Sequence, residues 1–221
     1  DLYFPGDLSI LDNKYLLIAE YATSRRISVF DLNGNFVKII KTRCPVFDVV
    51  GLKNSKIAIL GSKTDETPDK ETYMVIILDL NNNREIHVVS FIKKIRKTAI
   101  RARDFEGKVC ISRTKNGNLL VGFSNNQKIA IYSPDGKKIF YFNINIKQIK
   151  VTTEMKEEFY KGMESNIEKK PMRVRNQVRK LVKKMRSMDI FPKYVPYYKS
   201  LIVDCNGNFI VFYNKGYFKA G

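Results

Sequence analysis

The sequence predicts an all-β fold, a radial stack of four-stranded sheets that is interrupted by one α-helical insertion. A phrase of alternating strands and turns occupies residues 4–40, returns at 109–142 and begins again at 201–212. The hydrophobic period changes from two residues to 3.6 in one segment only, at 152–188. A single sheet of this size cannot bury both of its faces, so the repeated units must pack against one another.

Four turns rich in Asn and Gly mark the repeated units. Such turns between apolar runs favour hairpins, because their central residues need positive φ. They centre on Asn13, Asn54, Asn116 and Asn206, and strands are predicted after them at 15–19, 56–60, 119–123 and 209–213. A second series of turns, at 31–34, 79–82 and 133–136, follows predicted strands at 27–30, 74–78 and 129–132. The first two Asn turns lie about 40 residues apart, which is the length of one four-stranded unit.

Two polar segments lengthen the second unit. Residues 62–72, which contain Pro68, are predicted to form a polar hairpin tip. Residues 93–107 are predicted to form a basic connection to the next unit.

The helical insertion at 152–188 is predicted to contain two helices. Thr152 or Thr153 is a suitable N-cap for the first, which runs to about residue 167. Pro171 begins the second, where a missing backbone N–H costs little. The second helix has one apolar stripe, formed by Val174, Val178, Leu181, Met185 and Met188. Residues 191–196 contain two prolines, which favour an extended return to the last strand.

Two stretches resemble NHL-type repeats. Residues 27–36, ISVFDLNGNF, resemble the end of that repeat, and residues 201–211, LIVDCNGNFIV, resemble its start. The chain is therefore similar to the NHL-like and TolB-like group of six-bladed β-propellers. Residues 196–204, PYYKSLIVD, resemble the strand that follows a helical excursion in secreted or envelope-attached bacterial members. The resemblance implies a single propeller domain over 1–221 that includes the helical insertion, and an exported, periplasmic or cell-surface location.

About three and a half blades can be counted, whereas the resemblance implies six. An open propeller exposes sheet edges, which favours aggregation. We therefore expect a partial propeller, with missing blades or a partner covering the open edge.

Composition favours an acidic partner. The formal net charge of +18 favours acidic proteins, polyanionic glycans, nucleic acids and anionic lipid surfaces as partners. The competing interpretation is a lysine-rich codon bias. No window approaches the roughly 18 apolar residues of a transmembrane helix. Cys44, Cys110 and Cys205 are odd in number and lack CxxC spacing, so they indicate neither a zinc site nor a disulfide framework. Cys110 is predicted to be a core thiol and Cys205 a turn residue.

Two basic segments supply the candidate partner-binding residues. They are Arg173, Arg175, Arg179, Lys180, Lys183, Lys184 and Arg186 in the second helix, and Lys93, Lys94, Arg96 and Lys97 in the connection. The competing interpretation for both segments is a solvated charged face. Connections lie on propeller faces, so the two segments would form one electropositive surface if they reach the same face. Base stacking would need aromatic residues among the cations, and 171–187 contains none.

The sequence predicts no catalytic residue, metal ligand or cofactor. His87 is the single histidine and lies in a strand-like run, and the glycines are explained by hairpin turns. Asp7, Asp48, Asp104 and Asp204 are the candidates for carboxylates that converge on a propeller axis. The predicted function is a non-enzymatic scaffold that binds a protein or glycan through one face. The alternatives are a propeller hydrolase or lyase with a central metal, and an RNA-binding NHL-type propeller.

Overall fold

A computed structural model of the 221-residue chain shows fourteen strands and two helices in the part that it describes. The described residues are 5–20, 25–64, 70–94, 102, 105–168, 171–188 and 190–213. The predicted cations Arg96 and Lys97, the carboxylate Asp104 and the tip residue Pro68 lie outside these ranges.

Three of the sheets are four-stranded antiparallel meanders, and a fourth sheet has two strands. Blade 1 consists of β1 (Pro5–Leu11), β2 (Tyr15–Glu20), β3 (Arg26–Asp31) and β4 (Phe36–Lys41). Blade 2 consists of β5 (Val46–Gly51), β6 (Lys56–Thr64), β7 (Lys70–Asp79) and β8 (Arg84–Lys94). Blade 3 consists of β9 (Val109–Arg113), β10 (Leu119–Phe123), β11 (Lys128–Tyr132) and β12 (Lys138–Asn143). Blade 4 consists of β13 (Tyr198–Val203) and β14 (Phe209–Tyr213).

The first strands of the blades lie beside one another, which gives the sheets a radial order. Strand β5 contacts both β1 and β9, and β9 also contacts β13. The blades approach closely here, because a Cβ added to Gly51 would lie 2.2 Å from the carbonyl oxygen of Ile10. Successive antiparallel meanders joined along their first strands are the blades of a β-propeller, so the predicted fold class is confirmed. The described blades form an open array.

Each pair of neighbouring blades encloses an apolar layer. Leu17, Ile27 and Val29 of blade 1 pack in one buried cluster with residues of blade 2. Blades 2 and 3 share a second cluster that includes Ile77 and Val121. The outer strands β4 and β12 are mostly exposed, so the core of this fold lies between the sheets.

The turns that precede the predicted strands have two different backbone conformations. Asp12 and Asn13 both have positive φ, as do Asn54 and Ser55. In the Asn–Gly turns only the glycine does, at +80° for Gly117 and +93° for Gly207. The prediction that both central residues need positive φ is therefore wrong for these two turns. There the single glycine supplies the left-handed position that closes the hairpin.

The extensions of blade 2 differ from the prediction. The polar segment 62–72 is not a simple tip, because β6 continues to Thr64 and β7 begins at Lys70. Cross-strand hydrogen bonding continues over polar side chains such as Ser62, which pairs with Tyr73. Strand β8 likewise extends to Lys94, so the start of the predicted basic connection is strand.

The helical insertion follows blade 3 and consists of α1 (Thr153–Glu168) and α2 (Met172–Arg186). The Thr152 hydroxyl accepts a hydrogen bond from the Met155 N–H at 3.3 Å, so Thr152 is the N-cap of the first helix. Pro171 directly precedes α2 with φ −54° and ψ 149°. Neither helix combines the length and the hydropathy that crossing a membrane requires.

Candidate functional site

The helical insertion lies at the edge of the blades that also carries the blade-to-blade connections. In blade 3 the start of β9, the β10–β11 turn and the end of β12 share this edge, because the strands are antiparallel. The Tyr197 N–H donates to the Ser124 carbonyl in the β10–β11 turn at 2.8 Å. We call this edge the connection face; the Asn turns lie at the opposite edge.

An aromatic cluster fixes the insertion to the connection face. The Phe105 ring, in the connection between blades 2 and 3, packs edge-to-face on Phe191 with centroids 5.1 Å apart. Phe159 of α1 packs on the same Phe191 ring at 5.4 Å. The Tyr160 hydroxyl donates to the carbonyl of Met185 in α2 at 3.1 Å. The two helices and the connection therefore form one packed unit.

The buried face of α2 differs in part from the predicted stripe. Val182 and Met185 are fully buried, and Val178 packs against the same cluster. Val174 and Leu181, two members of the predicted stripe, are 38% and 39% exposed. They lie at its edge, because α1 and Phe191 cover the side of α2 that centres on Val182.

Arg186 is used to join the two helices. Its guanidinium contacts both oxygens of Glu157 at 2.7 Å and lies 4.4 Å from the centroid of the Tyr160 ring. Glu164 approaches it at 3.5 Å. The hydrogen bonds that Arg186 donates to Glu157, followed by the charges of both glutamates, raise the pKa of Arg186 above its usual value. This predicted partner-binding residue is therefore occupied within the chain.

Four other cations of α2 are exposed. They are Arg173, Lys180, Lys183 and Lys184. At 3.6 residues per turn they lie within about one third of the helix circumference; Arg173, Lys180 and Lys184 are opposite Val182, and Lys183 is about 100° from it. Within the described ranges, no carboxylate forms an ion pair with them. Arg175 and Arg179, in contrast, already interact with other groups of the chain.

An open groove runs between the cationic side of α2 and α1. It has a volume of about 400 Å³ and is lined by Glu164, Arg179, Val182, Lys183 and Arg186. The groove joins the exposed cations to the ion pairs that hold the helices together.

The second basic segment reaches the same edge but contributes fewer exposed cations than predicted. Lys93 forms an ion pair with Glu106 at 2.7 Å and lies 5.9 Å from the Tyr73 ring centroid. Lys94 is the last residue of β8. Ala102 and Phe105 of the connection belong to the same buried cluster as α2. The connection and α2 therefore lie side by side, and the exposed charge of the described residues here is on α2.

Two of the four candidate axial carboxylates come together. Asp7 and Asp48 are each the third residue of a first strand, β1 and β5, and their side chains are hydrogen-bonded. Burial, followed by the hydrogen bond and the charge of Asp7, raises the pKa of Asp48 to about 9. Asp204 does not join them, because it closes the β13–β14 turn through Asn208.

The described residues contain no group of three His, Cys, Asp or Glu side chains placed to bind one metal ion. His87 lies on the outermost strand of blade 2, is exposed and makes a 2.8 Å hydrogen bond to Ser90. Cys110 lies near Asp48, and burial raises its pKa to about 11. Cys44 is buried and Cys205 is exposed, and all three cysteines are free.

One feature of the first strands was missed by sequence reasoning. The Tyr198 side chain, which begins β13, is fully buried, and its hydroxyl has no hydrogen-bond partner within the described residues. The hydroxyl occupies the space left by Gly122, where an added Cβ would lie 2.4 Å from it. The only signal in the sequence was a glycine inside the apolar strand Leu119–Phe123.

Comparisons with known proteins show resemblance at the level of structure. BamB from Moraxella catarrhalis is 11% identical, with 68% of this chain and 40% of that chain covered and a TM-score of 0.39. The Cps50 (Swd1) β-propeller domain of Myceliophteria thermophila is 19% identical, with 67% and 48% covered and a TM-score of 0.38. Virginiamycin B lyase from Staphylococcus aureus is 11% identical, with 64% and 56% covered and a TM-score of 0.31. This chain thus spans less than half the length of the first two structures.

No protein-family model and no curated protein matches the sequence. The fold assignment therefore rests on the sheets described above.

Proposed function

We propose that this chain is a non-enzymatic propeller scaffold that binds an acidic protein partner through its connection face. The observation that supports it most is the set of four exposed cations on α2, which no carboxylate neutralises within the described residues. The aromatic cluster around Phe191 holds this helix in one orientation. A fixed array of like charges is already oriented for binding, so little ordering entropy is lost when a partner docks. A polyanionic glycan is the alternative partner for the same cations.

The packing of α2 argues against two other anionic partners. An amphipathic helix binds a membrane by burying its apolar face in the lipid. In α2 that face, centred on Val182 and Met185, is already covered by the chain. Single-stranded RNA binding uses aromatic side chains among the cations, and α2 has none.

The subtype, the extent of the domain and the location belong to the same proposal. The NHL-like resemblance of residues 27–36 and 201–211 supports a propeller of the six-bladed type, in which 1–221 forms all or part of one domain. The resemblance of residues 196–204 to envelope-attached bacterial members supports an exported, periplasmic or cell-surface location.

Binding of an acidic polypeptide tests the proposed function. The probe is fluorescent poly-L-glutamate, titrated with the chain at 50 and 200 mM salt. In the test variant Glu replaces Arg173, Lys180, Lys183 and Lys184. Its Kd should be at least about tenfold weaker, because about 1.4 kcal/mol corresponds to tenfold and four contacts are lost. Higher salt should weaken wild-type binding, since exposed charges are screened.

A control variant distinguishes binding at the connection face from binding that depends only on the overall charge. In it Glu replaces Lys14, Lys38, Lys53 and Lys115, which are exposed cations away from the connection face. Both variants change the net charge equally, so the control should retain most of the affinity. Equal weakening by the two variants would contradict the proposal, because it would show that total charge and not α2 binds the probe.

The alternative class, a metal-dependent propeller enzyme, is tested separately. If Asp7 and Asp48 helped to bind calcium or zinc, the metal would raise Tm by several degrees, since a ligand bound only by the native state stabilises it. We expect calcium or zinc to change the Tm of the wild type by no more than it changes the Tm of the Asp48→Asn variant. A shift that this variant abolishes would favour the enzyme.

A further inference from the structure

An apolar pair lies at the rim of the buried face of α2, on the side that borders its cations. Val174 and Leu181 are 38% and 39% exposed, although the solvent-facing positions of a helix in a globular protein usually carry polar residues. They are seven residues apart, so they lie on one line of the helix about 10 Å apart. This line borders the buried face that α1 and Phe191 cover, because Val174 and Leu181 lie only about 20° and 40° around the helix from Met185.

The cations lie on the helix face next to the pair. Arg173 precedes Val174, Lys180 precedes Leu181, and Lys184 follows Leu181 by one turn. Helices that pair with one another carry apolar residues at fixed positions of a seven-residue repeat with charged residues beside them, and Val174 and Leu181 occupy equivalent positions of such a repeat. Phosphates of a nucleic acid would use the cations only and would leave the apolar pair in water.

We propose that α2 docks an acidic amphipathic helix of a protein partner, with Val174 and Leu181 as its apolar contact and Arg173, Lys180 and Lys184 as its ionic contact. This inference rests on the proposed function and names the chemistry of the partner. Charge complementarity specifies an acidic segment, and the seven-residue spacing specifies a helix whose apolar residues recur at the same interval. The rigid attachment of α2 through Phe191 allows docking without refolding of the insertion.

Two synthetic helical peptides of equal charge test the inference. Both carry glutamates at the flanking positions; one has Leu at two positions seven residues apart, and the other has Gln there. Fluorescence anisotropy with the whole chain should give a Kd about tenfold lower for the Leu peptide, since about 1.4 kcal/mol from burying two leucines corresponds to tenfold. Poly-L-glutamate is titrated in parallel.

Substitutions in α2 assign the preference to the apolar pair. Val174→Ser with Leu181→Ser should reduce the preference for the Leu peptide to within about twofold and leave poly-L-glutamate binding unchanged. Met172→Ser is the matched control, because Met172 is 76% exposed on another side of the helix. Circular dichroism should show equal helix content in all three proteins, since each substituted side chain is exposed.

The outcomes separate the inference from the proposed function. Equal Kd values for the two peptides, together with poly-L-glutamate binding that depends on α2, would overturn the inference and leave the proposed function standing. Failure to bind either peptide or poly-L-glutamate would overturn both. Tighter binding of single-stranded RNA or of anionic vesicles than of the Leu peptide would also overturn the inference.

Discussion

At the scale of single residues, the described part of the chain has a large change in acid–base chemistry at Asp48. Its carboxyl lies between the first strands of blades 1 and 2, against the carboxyl of Asp7. Asp7 also accepts a hydrogen bond from the Val49 N–H at 3.0 Å, so its position is fixed by blade 2. Burial, followed by the hydrogen bond and the charge of Asp7, favours the protonated form of Asp48.

This arrangement predicts that stability falls as pH rises. The pKa of Asp48 is about 9 in the folded chain and near 4 when unfolded, so the folded state binds more protons between these values. The contribution is fully present below about pH 4 and is lost as pH rises through about 9. In the Asp48→Asn variant the side-chain amide can still donate a hydrogen bond to Asp7, but residue 48 no longer titrates.

The measurement is Tm of both proteins from pH 5 to 9. The difference between the variant and the wild type should grow with pH in favour of the variant, by several degrees at the upper end. Taking the difference cancels the groups that titrate in both proteins. A difference that is constant over this range would show that Asp48 is already ionised.

At the scale of elements, the insertion depends on one aromatic side chain that does not belong to the blade cores. Phe191 contacts Phe105, Phe159 and Tyr160 edge-to-face, whereas the clusters between blades 1, 2 and 3 do not include it. The orientation of α2 should therefore be separable from the stability of the blades.

Phe191→Ala tests this separation. Removing a buried phenylalanine costs about 3–5 kcal/mol, and here the cost should appear as local opening of α1 and α2. Hydrogen–deuterium exchange should become faster in both helices and stay unchanged in β9–β11. Phe140→Ala is the control, because Phe140 is 56% exposed and should cost little. Loss of protection in the blades to the same extent as in the helices would contradict the separation.

Strands that follow Asn–Gly turns were predictable to the residue. Leu119–Phe123 and Phe209–Tyr213 have the predicted bounds, because a glycine at positive φ defines where each begins. The length of β6 was not predictable, since Ser62 and Lys63 are polar and their pairing depends on a partner strand.

The candidate site was predictable as a segment and not as a set of contacts. The 3.6-residue period identified α2, but Val182 and Leu181 are adjacent in the sequence, and only the position of α1 determines which is buried. The ion pair of Arg186 was not predictable either, because its partner Glu157 lies 29 residues away in the sequence.

At the scale of the whole molecule, the described blades form an array with an uncovered apolar face at each end. Leu8 and Ile10 are exposed on the outer face of blade 1, and Ile210 and Phe212 on that of blade 4. Faces between blades have the same apolar character and are buried. Our prediction that further blades or a partner cover these ends stays a prediction.

The proposed function depends on how charge is distributed between the two edges of the molecule. At the edge with the Asn turns, Lys56 forms an ion pair with Asp135, a carboxylate of the β11–β12 turn. The four exposed cations of α2 have no such neighbours within the described ranges. The central claim is therefore that an acidic polypeptide docks on the connection face.

Zero-length carbodiimide cross-linking of a glutamate-rich peptide to the whole chain, with the modified lysines identified by mass spectrometry, tests this claim most directly. We predict that the cross-links concentrate on Lys180, Lys183 and Lys184 and disappear at high salt, because these ammonium groups contact the bound carboxylates. Cross-links spread evenly over the lysines, or concentrated on Lys14, Lys53 and Lys115, would contradict it.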